Sequence, residues 1–127
     1  MIDIRCNMKN SLVLAYLGDS IYEVYIRKYL IGKNIIKVSE LQKESVKYVS
    51  AKSQATFLKE LIDNNFFNKE EISIITTARN HKNNHKPKNC DIITYKNATG
   101  FEALIGYLYL NNKNDRINEI INYITRR

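Results

Sequence analysis

The sequence predicts an all-α fold, and three observations carry that prediction. Apolar residues recur at helical spacing along most of the chain. Helix-start signatures punctuate those runs. No stretch shows the period-two alternation of a half-buried strand. Six or seven helices are expected, and 127 residues suit one compact domain spanning 1–127.

The elements follow in order. From Ser11 to Ile31, the apolar positions Leu12, Ala15, Tyr16, Tyr22, Ile26 and Tyr29 approximate the spacing of a buried helix face. Ser39-Glu40-Leu41-Gln42 has the form of a capping box and is expected to open a second helix. A third is expected over Lys52 to Asp63, with Ala55, Leu58, Leu61 and Ile62 on one side. Asn68-Lys69-Glu70-Glu71 is another start signature, for a helix ending near Ala78. The next segment, Arg79 to Lys96, is polar and basic, contains the sole proline (Pro87) and reads as irregular. A helix from about Asn97 to Leu110 follows, and Asn114-Asp115 is expected to cap a last one over Arg116 to Thr125. No repeat or flexible linker interrupts this order.

A hydrophobic content of 44% is enough for a core, and 20 Lys+Arg against 13 Asp+Glu leave a net charge of +7. That balance favours a polyanionic partner, nucleic acid first. Part of it is compositional, because the chain is rich in Lys, Asn and Ile together. Two cysteines, Cys6 and Cys90, do not make a disulfide framework, which fits reduced thiols in the cytoplasm. The N-terminus lacks the pattern of a signal peptide, and no apolar run approaches the ~20 residues of a membrane span. A soluble intracellular domain, without membrane contact, is the expectation.

Two short stretches carry the chemistry. Leu14-Ala15-Tyr16-Leu17-Gly18-Asp19-Ser20 and Ala98-Thr99-Gly100-Phe101-Glu102-Ala103-Leu104-Ile105-Gly106 each place one carboxylate in an apolar, helix-like run beside glycine. The chain has four glycines, and three of them (Gly18, Gly100, Gly106) lie here. Glycine inside a helix costs roughly 1 kcal/mol relative to alanine, and close approach of two helices is the obvious compensation. Helical spacing puts Asp19 and Glu102 on faces that packing should at least half bury. Two readings follow. A hard cation such as Mg²⁺ takes oxygen ligands, and two carboxylates with substrate phosphate can hold it. Alternatively, each acid accepts hydrogen bonds from Tyr, Ser or backbone and serves the core.

These residues resemble the ribonuclease III family. Leu14 to Ser20 is similar to that family's signature, Leu-Glu-Phe-Leu-Gly-Asp-Ser, and Phe101 to Gly106 to its second characteristic element. The branch that consists of the nuclease domain alone, Mini-ribonuclease III, is resembled more closely. Its pattern runs through Tyr22–Arg27, Val49–Ala55, Arg79-Asn80, Pro87–Asp91 and Tyr95–Tyr109, so nearly the whole chain takes part in the right order. The resemblance implies a metal-dependent endoribonuclease acting on double-stranded RNA, with Asp19 and Glu102 as catalytic, metal-binding carboxylates. Mg²⁺ is the implied cofactor, with Mn²⁺ substituting. Two carboxylates of full-length ribonuclease III are replaced, by Ala15 and Thr99, which puts a complete two-metal cage in doubt. The same branch shares these losses. Glu23, one turn beyond Asp19, either assists through a bound water or pairs with Arg27 at i,i+4.

The segment before the Glu102 helix holds Arg79, Lys82, Lys86, Lys88 and Lys96 against Asp91 alone, five positive charges to one. Such residues neutralise phosphates with little sequence preference. By resemblance this loop contacts the RNA, with Arg79, Asn80, Lys82, Lys86 and Lys88 as its binding residues. His81, His85 and Cys90 match no standard zinc spacing and read as surface residues. Most of the nine tyrosines read as core or interface packing. The resemblance further implies a homodimer, products with 5′-phosphate and 3′-hydroxyl ends, and precursor large-subunit (23S) ribosomal RNA as substrate, with a ribosomal protein as a further partner. A non-catalytic RNA-binding member of the fold, associated with the ribosome, is the competing expectation. Asp19 and Glu102 facing an open cleft would oppose it, and a Lys or Arg filling that space would favour it.

Overall fold

The computed structural model describes residues 10–81 and 90–126. Among them the chain is all-helical, as predicted, with six helices in the order α1 (Ser11–Ile31), α2 (Val38–Val49), α3 (Ala51–Asp63), α4 (Lys69–Arg79), α5 (Ile92–Leu110) and α6 (Asn114–Thr125). None is long and apolar enough to cross a membrane. Lys82, His85, Lys86, Pro87 and Lys88 lie outside the described residues.

Helix α5 is the axis of the fold. It is apolar on nearly every side, with Ala98 to Phe101 and Ala103 to Gly106 all buried, and a helix apolar all round belongs inside. Helix α1 packs along it most extensively, with α4 and α3 on other faces. The glycines have the use the sequence suggested. A Cβ at Gly18 would lie 1.7 Å from the Glu102 carbonyl oxygen, and one at Gly106 would lie 2.1 Å from that of Leu14. The backbones of α1 and α5 therefore touch where the two motifs cross. Tyr22, Ile26 and Leu30 continue the seam into a core shared with Leu104, Leu108 and Ile120.

Several local expectations need correction. Helix α2 begins at Val38 with Lys37 at its cap, so Ser39 is already inside the first turn and its hydroxyl cannot cap. Helix α5 begins at Ile92, five residues before the expected start. Asp91 caps it, accepting from the Thr94 N–H at 2.8 Å. The stretch Arg79 to Lys96 is thus helical at both ends. Helix α6 has Lys113 at its cap with no side-chain bond, and Asn114 and Asp115 form its first turn. Tyr16, assigned to the buried stripe, is 83% exposed. Ala15, Tyr22 and Ile26 are buried as expected, and Ser11, Leu14, Gly18 and Leu30 complete that face in place of Leu12, Tyr16 and Tyr29.

Other boundaries follow the sequence closely. Asn68 and Glu71 form the expected capping box of α4, with bonds of 2.8 and 3.0 Å. Ser50 caps α3, accepting from the Ser53 N–H at 3.1 Å. Asn34, Asn65 and Asn112 have φ of 65°, 54° and 59°. Asparagine tolerates this left-handed conformation, so it makes the turns after α1, α3 and α5 that glycine makes elsewhere.

Candidate active site

The crossing of α1 and α5 opens on one side into a cleft of about 370 Å³. Leu12, Ala15, Tyr16 and Asp19 line it from α1, and Tyr95, Thr99 and Glu102 from α5. Both predicted acids therefore reach one cavity, and among the described residues its lining contains no Lys or Arg. Ala15 and Thr99, the positions where the resemblance expects further carboxylates, line the same space. The Thr99 hydroxyl donates to the Tyr95 carbonyl at 3.0 Å, so its proton is engaged within its own helix.

The two acids sit differently. Glu102 is half-buried as expected, but Asp19 is exposed. Gly18 occupies the point of closest contact with α5, and its neighbour is turned about 100° away toward the cleft mouth. Burial pushes the Glu102 carboxyl up to about 9, and a hydrogen bond and charge repulsion from Asp19 push the same way. The Gln54 amide acts in the opposite direction. At neutral pH the Glu102 carboxyl therefore carries its proton. Beneath them, Tyr22 is fully buried, meets Phe101 edge-on at 5.1 Å and donates its hydroxyl to the Tyr48 carbonyl at 2.9 Å. Burial raises the Tyr22 phenol far above its usual range, with nearby Tyr48 and Glu102 adding to the effect.

An all-oxygen donor pair with excess negative charge suits a hard divalent cation, and the cleft has room for one with its waters. The proton trapped on Glu102 is what such a cation would replace. Among the described residues, no three of His, Cys, Asp and Glu gather into a metal-sized cluster. His81 and Cys90 are half-buried, each at an edge of the described residues.

Glu23 pairs with Arg27 at 3.3 Å and lines a groove between α1 and α2, not the acid cleft. Of the expected RNA contacts, Asn80 is exposed at the end of α4. Arg79 lines a second cleft, of about 510 Å³, with Lys52 and Lys59 of α3 and Thr94 and Asn97 of α5. Sequence reading missed these two lysines. The signal was present, because an i,i+7 pair falls on one face of a helix.

Fold and site together define a helical domain with a carboxylate pair built at the crossing of its two glycine-bearing helices. The family model for the ribonuclease III domain matches residues 12–113. The chain belongs to the ribonuclease III family, a family of endoribonucleases. It is 47% identical over 115 residues to a Mini-ribonuclease 3 of Brevibacillus brevis, covering 91% of this chain and 84% of the relative. With that of Streptococcus pneumoniae it shares 36% over 127 residues, covering 100% and 98%. A protein of Fusobacterium nucleatum solved by X-ray crystallography superimposes with a TM-score of 0.83 at 36% identity, covering 92% of this chain and 93% of that one.

Proposed function

We propose that this protein is a metal-dependent endoribonuclease that cuts double-stranded RNA, acting in the cytoplasm on precursor 23S ribosomal RNA. The observation that carries the chemistry is the shared, open cleft of Asp19 and Glu102, whose lining among the described residues includes no basic side chain. Asp19 and Glu102 would hold Mg²⁺, or Mn²⁺ in its place. When bound, the cation supplies Lewis-acid polarisation of the phosphoryl group and lowers the proton affinity of water. The chain's own residues do the rest. Asp19 and Glu102 would hold the cation at the mouth of the cleft where the scissile phosphate must come, and the buried Tyr22 and Phe101 floor keeps water from below. Water attacks phosphorus in line, the 3′-oxygen leaves as a hydroxyl, and the phosphate stays on the 5′ end of the other product.

Arg79, Asn80, Lys82, Lys86 and Lys88 would meet the duplex backbone, whose recognition rests on phosphates, shape and 2′-hydroxyls. Lys52 and Lys59 extend that surface beside Arg79. One site per chain cuts one strand, so a two-fold homodimer would match the symmetry of a duplex. Exposed Val24, Ile31, Val38 and Val46 around the groove between α1 and α2 support a self-association surface. A ribosomal protein that presents the precursor would be a further partner.

The test is cleavage of a plain duplex RNA by wild type and Asp19→Asn, with Mg²⁺ and with EDTA. Metal-dependent cutting that Asp19→Asn loses, with RNA binding retained, is the expected result. Tight binding without cutting under any metal would replace this reading by that of a ribosome-associated RNA-binding scaffold.

A further inference from the structure

The stretch Val49 to Ala55 carries part of the family resemblance, yet the acid chemistry above leaves it unused. Gln54 lies within it, on α3, and is only 2% exposed. A buried glutamine is unusual, because its amide brings two N–H groups and a carbonyl that all need partners. Here Nε2 donates to the Val49 carbonyl at 3.0 Å, one of the carbonyls left open at the C-terminal end of α2. The adjacent Tyr48 carbonyl accepts from the Tyr22 hydroxyl at 2.9 Å. The end of α2 is thus gripped by two side chains that both border Glu102. Gln54 Oε1 is buried without a partner among the described residues. Capping Val49 alone would not require so buried and incompletely satisfied an amide, because that carbonyl lies at a helix end where water commonly serves.

We propose that Gln54 is a positioning residue for the metal-binding carboxylate: its amide, braced on Val49, holds the Glu102 side chain in the orientation that accepts a divalent cation. The proposal rests on the reading of Asp19 and Glu102 as the cation's ligands. It gains force from Ala15 and Thr99, because a site with two protein carboxylates has no spare ligand to correct a misaligned one. Residues that orient ligands in this way are worth about 10- to 100-fold in metal affinity.

The experiment measures Mn²⁺ binding to the whole chain without RNA, by electron paramagnetic resonance, for wild type, Asp19→Asn and Gln54→Met, with melting curves in EDTA. Gln54→Met is expected to weaken Mn²⁺ binding by about tenfold or more. It should raise the Mn²⁺ needed for half-maximal cleavage by the same factor, with kcat recovering at saturating Mn²⁺. Gln54→Asn, whose amide stops one methylene short, should shift in the same direction and decides the matter if the methionine variant does not fold. Wild-type Mn²⁺ affinity in a folded variant, whether or not its melting temperature drops, would overturn the proposal. Wild type that binds no Mn²⁺ would instead overturn the reading of the site, and this inference with it.

Discussion

Glu71 and Glu102 are both carboxylates drawn into the helical interior, and their surroundings are opposite. Glu71, 3% exposed, receives two bonds of 2.8 Å from Arg116 and one of 3.0 Å from the Asn68 N–H. Burial alone would raise its pKa, but those donors outweigh it and hold the carboxyl below the usual range. Arg116 is itself fixed by the Phe66 carbonyl at 2.7 Å and by the Phe66 ring at 4.4 Å, so the pair pins α6 to α4 and to the turn before it. Among the described residues Glu102 meets no cationic side chain, only a second carboxyl and one amide, and its carboxyl is pushed up to about 9. An acid supplied with positive charge from within the fold is structural. One left facing another acid is completed from outside.

The sharpest way to break that contrast is catalytic. Glu102→Gln is expected to lower duplex cleavage by about 10³-fold, the effect of losing roughly 4 kcal/mol of charge stabilisation. Glu71→Gln should leave the rate per folded molecule unchanged. Equal losses would mean that the two acids do not differ in kind.

Stability should show the reverse. Arg116→Met strands a buried carboxylate and is expected to destabilise the fold by about 3 kcal/mol in denaturant melts, with Mn²⁺ affinity unaltered.

The pH response separates the two acids by sign. Between about 4.5 and about 9, folded Glu102 binds a proton that the unfolded chain releases, so metal-free stability falls as pH rises through that window. Glu102→Gln in EDTA should therefore melt above wild type at pH 8, by about 4 °C for ~1 kcal/mol, and the gap should close below pH 5. Glu71, with its pKa depressed, adds stability that is present above its unfolded value of 4.5 and lost in acid. A Glu102→Gln melting temperature that tracks wild type across this range would remove the argument for a trapped proton.

The smallest effect concerns the surface. Replacing Lys86 and Lys88 with alanine should weaken duplex binding and flatten its salt dependence by about 1.5 in slope. Doing the same at Lys52 and Lys59 tests the cleft beside Arg79, and an unchanged slope would take either pair out of the RNA interface.

Much of this was legible in the residues. The periodicity of Ser11 to Ile31 and the Asn68–Glu71 box depend on nearby residues alone, and the glycines of the two motifs announce a close crossing because glycine is costly inside a helix. What was hidden depends on distant partners or on competing signals. Asp91 and Thr94 form an ordinary cap, but they sit at the edge of a basic segment that reads as loop. Nothing near Arg116 in sequence announces Glu71, 45 residues away. Gln54 looks like any polar residue of an amphipathic helix, because what makes it unusual, the carboxyl of Glu102 facing its amide, comes from another helix. Tyr16 was misplaced for a related reason: an aromatic beside an apolar run counts toward the stripe until the partner helix shows which face it covers.

The contact between Gly18 and the Glu102 carbonyl has a mechanical corollary. The residue preceding one acid presses on the main chain of the other, so the separation of the two acids is gauged by rigid backbone and not by adjustable side chains. The gap behaves as a fixed calliper. Lengthening Asp19 to Glu while shortening Glu102 to Asp keeps the total reach of the pair, yet moves the meeting point of the carboxyls along a span that cannot slide to follow it. The enzyme must bring the RNA to that point, because the jaws do not travel.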